Sequence, residues 1–531
     1  MRSFHLAIVL ALSAASARAQ RPAPSTTFAN PLDLDYRFMP NAPSRREAAD
    51  PTIVRYRGEY WLFASKSGGY WHTRDFRAWT LVVPTGFDLE AYAPAVMELG
   101  GRLYYTAHKL KALYATDDPA TGTWRRVADL AEYADPAFLV DGARVYLYHG
   151  SSLDGGISVV ELDPAHDFRV VAGPTLLTKA SHADHGWERS GPDNLGATMT
   201  EGFRIAPYVE GAWVTKHAGI YYLQYAAPGT VWKTYADGVY TSTSPMGPFA
   251  YAPYSPFSYR PGGFLGGAGH SGMFEDSLGN AWRVTTAIVS VVHKFERRLA
   301  IYPASFDADG VLRTDTDLGD YPQYLPDVRR HALGTNRVGW MLLSGGRPAT
   351  ASSTLDGHPA SLAVDEDVRT TWSARTGDAG EWLAVDLGGR RRIDAVQVNF
   401  GDEGARSLGR DSSLYQRWVV ETSDDGRAWH TLIDRRRATR DAPHAYVQLD
   451  APVRARHVRL TNAHAAAGGT FSVRDLRVFG SAEGAPPAAV QGIIARRDSI
   501  DARDATVRWR RVPNATGYIV RYGTAPDRLY A

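Results

Sequence analysis

The sequence predicts an all-β chain: a five-bladed β-propeller followed by β-sandwich modules. A Gly leading into an aromatic-rich strand recurs five times, at Gly58, Gly101, Gly142, Gly219 and Gly279. The first two steps are 43 and 41 residues, and the later ones, 77 and 60, contain insertions. A period of about 40 residues with four strands per unit is the signature of a propeller. Helix signals are few, while Tyr, Trp, Val, Thr, Gly and Pro are plentiful, as β structure requires.

At 531 residues the chain has room for two to four domains. Residues 1–19 read as a secretory signal peptide. Arg2 gives a basic start, Leu6 to Ala15 an apolar stretch, and Ala17-Arg-Ala19 a small-residue cleavage site. The apolar stretch is too short to span a bilayer, and no later segment is long enough, so no membrane span is expected. The chain has no cysteine, which fits bacterial export, secreted or periplasmic, better than a disulfide-bearing eukaryotic domain. The net charge of +2 and the lack of a long basic stripe argue against a nucleic-acid partner. The run Arg390-Arg391-Arg392 reads as a solvated strand end.

The five repeats fall between residues 30 and 325. Their Gly-aromatic strands begin Gly58-Glu-Tyr-Trp, Gly101-Arg-Leu-Tyr, Gly142-Ala-Arg-Val, Gly219-Ile-Tyr-Tyr and Gly279-Asn-Ala-Trp. Each is followed by an outer element, such as Trp71 to Trp79 or Val239 to Phe249, that reads as strand, polar turn and aromatic strand. The segment before each Gly-aromatic strand is the candidate inner strand, which in a propeller lines the central channel. These segments offer Asp50, Ala93-Pro94, Asp135, Glu210 and His270. The Pro after both aspartates lacks an N–H and restricts the residue before it. Asp-Pro alone is a common turn dipeptide. Three acids and a histidine in register with one repeat point instead to a channel-facing cluster.

A carboxylate cluster suits cleavage of a glycosidic bond. One carboxylic acid protonates the leaving oxygen while a carboxylate acts on the opposite face. A neighbouring carboxylate and burial raise the pKa of the acid. Carboxyl groups roughly 6.5–9.5 Å apart give inversion and ~5–5.5 Å retention.

Residues 30–325 resemble glycoside hydrolase family 43. The stretches that carry the resemblance are Ala49-Asp-Pro-Thr-Ile, Tyr92-Ala-Pro-Ala-Val, Ala134-Asp-Pro-Ala-Phe and Val209-Glu-Gly-Ala-Trp with Gly-Ile-Tyr-Tyr-Leu-Gln-Tyr. The resemblance implies Asp50 as general base, Glu210 as general acid and Asp135 as the residue that tunes and holds the acid. It implies inversion. It also implies that His270 lies in the channel near substrate and a water-coordinated metal, often calcium. Glu-Gly-Ala replaces the usual Glu-Gly-Pro around the acid and marks a divergent member. Glu201 is a decoy for the acid, since it lacks the following Trp and Gly-aromatic strand.

Residues 173–204 read as a long insert between blades three and four. There Trp187 is a candidate sugar-stacking residue, and a metal site from His182, Asp184 and His185 is a minor alternative. The Gly-rich run Gly262 to Gly272 lacks the Lys-Ser/Thr of a phosphate loop, and its glycines read as tight turns beside the channel.

A linker is expected at 326–344. Residues 345–480 resemble a discoidin-type jelly roll, the fold of family 32 carbohydrate-binding modules, through Ala363-Val-Asp-Glu-Asp, Trp382-Leu-Ala-Val-Asp-Leu-Gly and Val420 to Trp429. Trp372 and Trp382 are expected in its core, and Asp365 and Asp367 as candidate ligands of a structural calcium. Ser423 to Trp429 is similar to the Asp-box of sialidases but occurs once, and reads as a turn. Residues 485–531 resemble the start of a fibronectin type III sandwich, and half a sandwich cannot close its core, so the chain is expected to continue.

The function expected is an exported glycosidase acting on side-chain or terminal sugars of plant or microbial polysaccharides, of arabinofuranosidase, xylosidase or galactofuranosidase type. A non-catalytic carbohydrate-binding propeller and an adhesion protein are the competing classes. A phosphorylase or transferase on the same fold is a minor one.

Overall fold

The computed structural model describes residues 26–531, apart from 86, 88, 90, 154, 197–207, 330–333, 411–414, 482–485 and scattered positions from 502 onward. The signal peptide expected at 1–19 and the decoy Glu201 lie outside the described residues.

Five four-stranded antiparallel sheets, each a meander of consecutive strands, make the five blades. Their inner strands are Ala49–Tyr56, Ala95–Leu99, Ala137–Asp141, Glu210–His217 and Gly266–Glu275. Each is followed by the predicted Gly-aromatic strand, for example Glu59–Ser65 in blade 1 and Ile220–Ala227 in blade 4. Neighbouring inner strands abut all the way round, and the fifth packs against the first. The ring closes without a shared blade. A short ribbon between Thr27–Phe28 and Gln323–Tyr324 ties its two chain ends together.

Alternating apolar residues on each sheet bury against the next blade, which is why the strands are aromatic-rich. Trp71, Phe76 and Trp282 pack blades 1 and 5 together, and Leu147, Phe138 and Leu113 join blades 2 and 3. At about 1.5–3 kcal/mol per buried large side chain, such contacts are what hold a cysteine-free ring closed.

Two sequence expectations change here. Residues 173–178 are not insert but the end of the outer strand of blade 3, Arg169–Thr178. Gly173-Pro174 lies within this outer strand, and an edge strand tolerates Pro because no ladder partner needs an N–H there. The Gly-rich run likewise enters the inner strand of blade 5 from Gly266 onward, while Gly262 and Gly263 form the bend before it. A Cβ at Gly269 would lie 2.8 Å from the Tyr235 ring, and one at Gly267 would lie 2.9 Å from the Thr286 carbonyl. These glycines make room for the Tyr235 ring of blade 4 and for the second strand of their own blade, Ala281–Ile288.

The second body is a β-sandwich running from Met341–Leu342 to Ser472–Ser481. Pairing of Met341 and Leu342 with Gly480 and Phe479 places its start inside the expected linker. Trp372, Leu383, Val396, Trp418 and Phe471 fill its core. Trp382 is only half-buried at the start of the long strand Trp382–Phe400. Ser423 to Trp429 forms the expected turn, with Asp425 Oδ1 accepting from the Arg427 and Ala428 N–H groups at 2.8 and 2.9 Å. The sandwich packs on the propeller through buried polar contacts. Gln397 Nε2 donates to the Asn30 carbonyl, and Arg474 Nη2 to Glu296 at 2.8 Å.

Beyond residue 485 the described residues form two separate hairpins, Ile494–Arg497 with Ala505–Arg508 and Tyr522–Ala525 with Arg528–Tyr530, and no sandwich. No described helix is long and apolar enough to cross a membrane.

Candidate active site

The channel end of each inner strand has one conformation in common. Asp50, Ala93, Asp135 and His270 all have positive φ (50°, 44°, 46° and 45°), and in blade 4 the residue with positive φ is Gly211 (62°). In three blades the ladder shows why. Asp50-Pro51 is a two-residue bulge between the pairs Ala49–Ser65 and Thr52–Phe63. Gly211-Ala212 and His270-Ser271 are bulges at the same point of blades 4 and 5. A bulge re-aims the side chains beside it.

Asp50 and Asp135, each restricted by the Pro that follows, are left-handed rather than in the extended region usual before proline. Such a conformation costs about 1–3 kcal/mol and persists only when its surroundings over-determine it. Here the preceding blade does so. Thr286 Oγ1 accepts from the Asp50 N–H at 2.9 Å, Ser65 Oγ from the Ala93 N–H at 2.7 Å and Asp237 Oδ1 from the His270 N–H at 2.9 Å. Beside Asp135 the same place is taken by the His108 ring, whose Nδ1 lies 2.6 Å from Asp135 Oδ1.

Glu210 is also not at the repeat position of the other acids. It sits one residue earlier, and Gly211 occupies that position. The reason is steric: a Cβ at Gly211 would lie 2.6 Å from the His270 ring. Gly211→Ala is therefore expected to destabilise the fold by about 2 kcal/mol, from the left-handed φ plus the clash, and to displace His270. Thermal unfolding measures the first effect and a crystal structure of the variant the second.

The four sequence-predicted residues Asp50, Asp135, Glu210 and His270 do converge. His270 Nδ1 is 3.2 Å from Asp50 Oδ1 and 3.8 Å from Asp135 Oδ2. One donor atom each from Asp135, Glu210 and His270 lie within 4.8 Å of one another. Ser65 Oγ donates to Asp50 Oδ2 at 2.6 Å, and Arg297 Nη1 donates to Asp50 Oδ1 at 3.2 Å. Tyr235 OH donates to Glu210 Oε1 at 2.6 Å.

These surroundings drive two carboxyls apart. Burial pushes Asp50 up, but the Arg297 and His270 charges and the Ser65 hydrogen bond outweigh it and hold the group below its usual value. Burial raises Glu210, the Asp135 charge adds to it, and the pKa reaches about 7 against the opposing His270 charge. His270 itself is disfavoured as a cation by burial, yet the charges of Asp50, Asp135, Glu210 and Asp237 raise it. Beneath it, Arg283 bonds both Asp237 and Gln224 in a fully buried layer.

Sequence reasoning missed Ser65, His108, Tyr235, Asp237, Arg297 and Thr230, whose Oγ1 accepts from Arg297 Nη1 at 3.2 Å. Several of these positions do repeat: Ser65 and His108 stand seven residues after Gly58 and Gly101, and Asp237 and Arg297 eighteen after Gly219 and Gly279, but the residue type changes from blade to blade, so the spacing alone did not mark them. Trp187 lies elsewhere than expected: its N–H donates to Tyr251 OH at 3.0 Å and its ring covers Gly238 and Tyr225. It is a packing residue of blade 4. In the same insert His185 stacks on Tyr251 at 3.6 Å and pairs with the buried Glu188, away from the minor metal site considered with His182 and Asp184.

Calcium takes six to eight oxygen ligands. The channel groups one imidazole with the carboxylates of Asp135 and Glu210, which each have an oxygen committed, to His108 and Tyr235, and Asp50 beside them has both oxygens bonded, to Ser65 and Arg297. Asp365 accepts from Thr370 and the Asp367 N–H, and Asp367 from the Arg369 N–H, so both carboxylates close a turn. The side-chain donors at neither place fit a calcium site by themselves.

Residues 40–312 match the pattern of the family described as Glycosyl hydrolases family 43, and residues 348–475 that of the F5/8 type C domain. Among curated proteins the chain is similar to Beta-D-galactofuranosidase xynD of Aspergillus niger, 25% identical over 231 residues that cover 39% of this chain and 64% of that protein. The chain thus spans less than two thirds of the length of this curated relative. Among solved structures it is similar to one named Glycoside hydrolase (TM-score 0.46, 17% identity, 84% of this chain and 99% of that one). It is also similar to xylan beta-1,4-xylosidase of Bacillus halodurans (TM-score 0.43, 16% identity, 85% and 96%).

Proposed function

Since the chain belongs to glycosyl hydrolases family 43, we propose that it hydrolyses terminal or side-chain glycosidic bonds of plant or microbial polysaccharides outside the cell, with inversion. The observation that carries this reading is the separation of two carboxyls in one buried cluster. Asp50 is held ionised, and Glu210 is held protonated up to about pH 7. Pairs whose environments drive their pKa values apart divide into base and acid.

In this reading Glu210 gives its proton to the leaving oxygen as the C–O bond breaks. Asp50 takes a proton from a water that attacks the anomeric carbon from the opposite face. The sugar leaves with a hydroxyl from water in place of the aglycone, and solvent returns the proton from Asp50 to Glu210. Asp135 keeps Glu210 protonated through its charge, and His108 fixes Asp135. The expected kcat/KM profile is a bell. It falls as pH drops through the depressed Asp50 value, where the base is protonated, and falls again above about 7 as Glu210 ionises. The sandwich would hold the enzyme on polysaccharide, raising local substrate concentration through a second linked site.

The test is a panel of 4-nitrophenyl glycosides. It includes β-D-galactofuranoside and β-D-xylopyranoside, the sugars in the names of the similar proteins, and α-L-arabinofuranoside. Turnover of at least one is expected, and proton NMR of the first-formed product should show the inverted anomer. Formation of the retained anomer would remove Asp50 from the role of base. A requirement for phosphate would favour phosphorolysis instead.

A further inference from the structure

The residues that hold Asp50 alternate along the chain with residues that hold the sandwich. Before blade 1, Glu47 faces the channel and its neighbour Arg46 faces the sandwich. On the strand Arg297–Phe306 of blade 5, Arg297 faces the channel and Arg298 faces the sandwich. Arg297 bridges the two channel-facing carboxylates, with Nη2 donating to Glu47 Oε1 at 2.8 Å and Nη1 to Asp50 Oδ1 at 3.2 Å. Arg298 joins the two pairs on the other side: its Nη1 donates to the carbonyls of Arg46 and Arg297, both at 2.9 Å.

The sandwich grips the outer member of each pair. Arg46 Nε donates to Asp402 Oδ2 at 2.7 Å, and its Nη1 also bonds Asp441. Arg298 Nε donates to His444 Nε2 at 2.9 Å. His444 can accept there only as the neutral ring with its proton on Nδ1, and Asn399 Oδ1, 2.8 Å from Nδ1, fixes that tautomer. Arg46, Glu47, Arg297, Arg298 and His444 are each 2% exposed or less. Burial of this kind makes a missing partner costly and the geometry unforgiving.

The charged groups facing Asp50 are Arg297 with Glu47 from one side and His270, His108, Asp135 and Glu210 from the others. Of these, Arg297 and Glu47 are the two whose chain neighbours bond to the sandwich.

We propose that the C-terminal sandwich is a positioning part of the catalytic site. Through His444, Asp402 and Asp441 it holds the Arg46–Glu47 and Arg297–Arg298 pairs in the arrangement that sets the Arg297 guanidinium on Asp50. This rests on Asp50 being the catalytic base, and it gives the sandwich a second task besides contact with polysaccharide.

The test uses the full chain with His444→Leu, His444→Gln, Asp402→Asn and, as control, Arg440→Ala. Arg440 bonds Asp33 across the same interface but touches neither pair. The variants are assayed on the 4-nitrophenyl glycoside that the unaltered chain turns over, and they are crystallised. His444→Leu and Asp402→Asn are expected to lower kcat by about tenfold to a hundredfold, with KM changed by less than about twofold. His444→Gln keeps an acceptor for Arg298 and should restore most of kcat. Arg440→Ala should leave kcat unchanged, and crystals of His444→Leu should show Arg297 displaced from Asp50.

Unchanged kcat in His444→Leu and Asp402→Asn with Arg297 still on Asp50 would overturn the proposal. So would an equal loss in Arg440→Ala, which would mean general damage to the interface. If His444→Leu does not fold, Asp402→Asn decides by the same two readouts. If the unaltered chain turns over none of the panel, the glycosidase reading fails by itself, and the Arg297–Asp50 distance in the variant crystals still decides the coupling.

Discussion

Glu210→Gln is expected to lower kcat/KM on an oligosaccharide substrate by about 10²–10⁴-fold, or about 3–5 kcal/mol of transition-state stabilisation. Glutamine keeps the shape of the side chain and can still accept from Tyr235, but it has no proton to give. The loss should depend on the leaving group. A 4-nitrophenolate departs with little help, so its glycoside should lose much less than an oligosaccharide. The alkaline limb of the pH profile should vanish, because the group that titrates at about 7 is gone. The paired control is Glu201→Gln, which should leave both substrates unaffected. A loss that falls on Glu201→Gln instead would overturn the assignment of the acid.

Asp50→Asn should cost as much and differ in pattern. A base that activates water is needed whatever the leaving group, so the 4-nitrophenyl glycoside and the oligosaccharide should fall together, by about 10²–10⁴-fold. The acid limb should disappear, since it reports protonation of Asp50, whose pKa lies below the usual carboxylate value. Arg297 keeps its bond to Glu47 in this variant, so the fold should hold. Circular dichroism and a thermal scan check that. Loss on the oligosaccharide alone, with the aryl glycoside unchanged, would show that Asp50 is not the base.

The contrast between these two residues reflects what the repeat could and could not reveal. Asp50, Asp135 and His270 were legible because each stands at the positive-φ channel end of its inner strand, seven to nine residues before the Gly of a Gly-aromatic strand. Glu210 was found for a reason that proved inexact. It lies one residue before its bulge, and the spacing to Gly219 is tolerant enough to hide the difference. What makes the offset necessary is the His270 ring, which fills the space where a side chain at position 211 would go. Trp187 shows the opposite failure. An aromatic residue in a polar insert suggests a sugar platform, but a glycine at 238 leaves room for it to pack inside blade 4 instead.

The sequence by itself determined the β class, the five-fold repeat, the sandwich that follows and the acids that gather in the channel. All of these are written in short-range patterns: strand alternation, glycine spacing and the period of the blades. Only the tertiary structure decided how the cluster is charged. Asp50 is held by Thr286 and Arg297, 236 and 247 residues away along the chain, and by Ser65, 15 residues away. Protonation depends on burial and on every charge within reach, and these are sums over space that leave no trace along the chain. The same holds for the sandwich, whose grip on Arg46 and Arg298 comes from residues 356 and 146 positions away. Local periodicity can place a carboxylate in the ring, but only the packing around it can hold the pKa of Asp50 down and push that of Glu210 up.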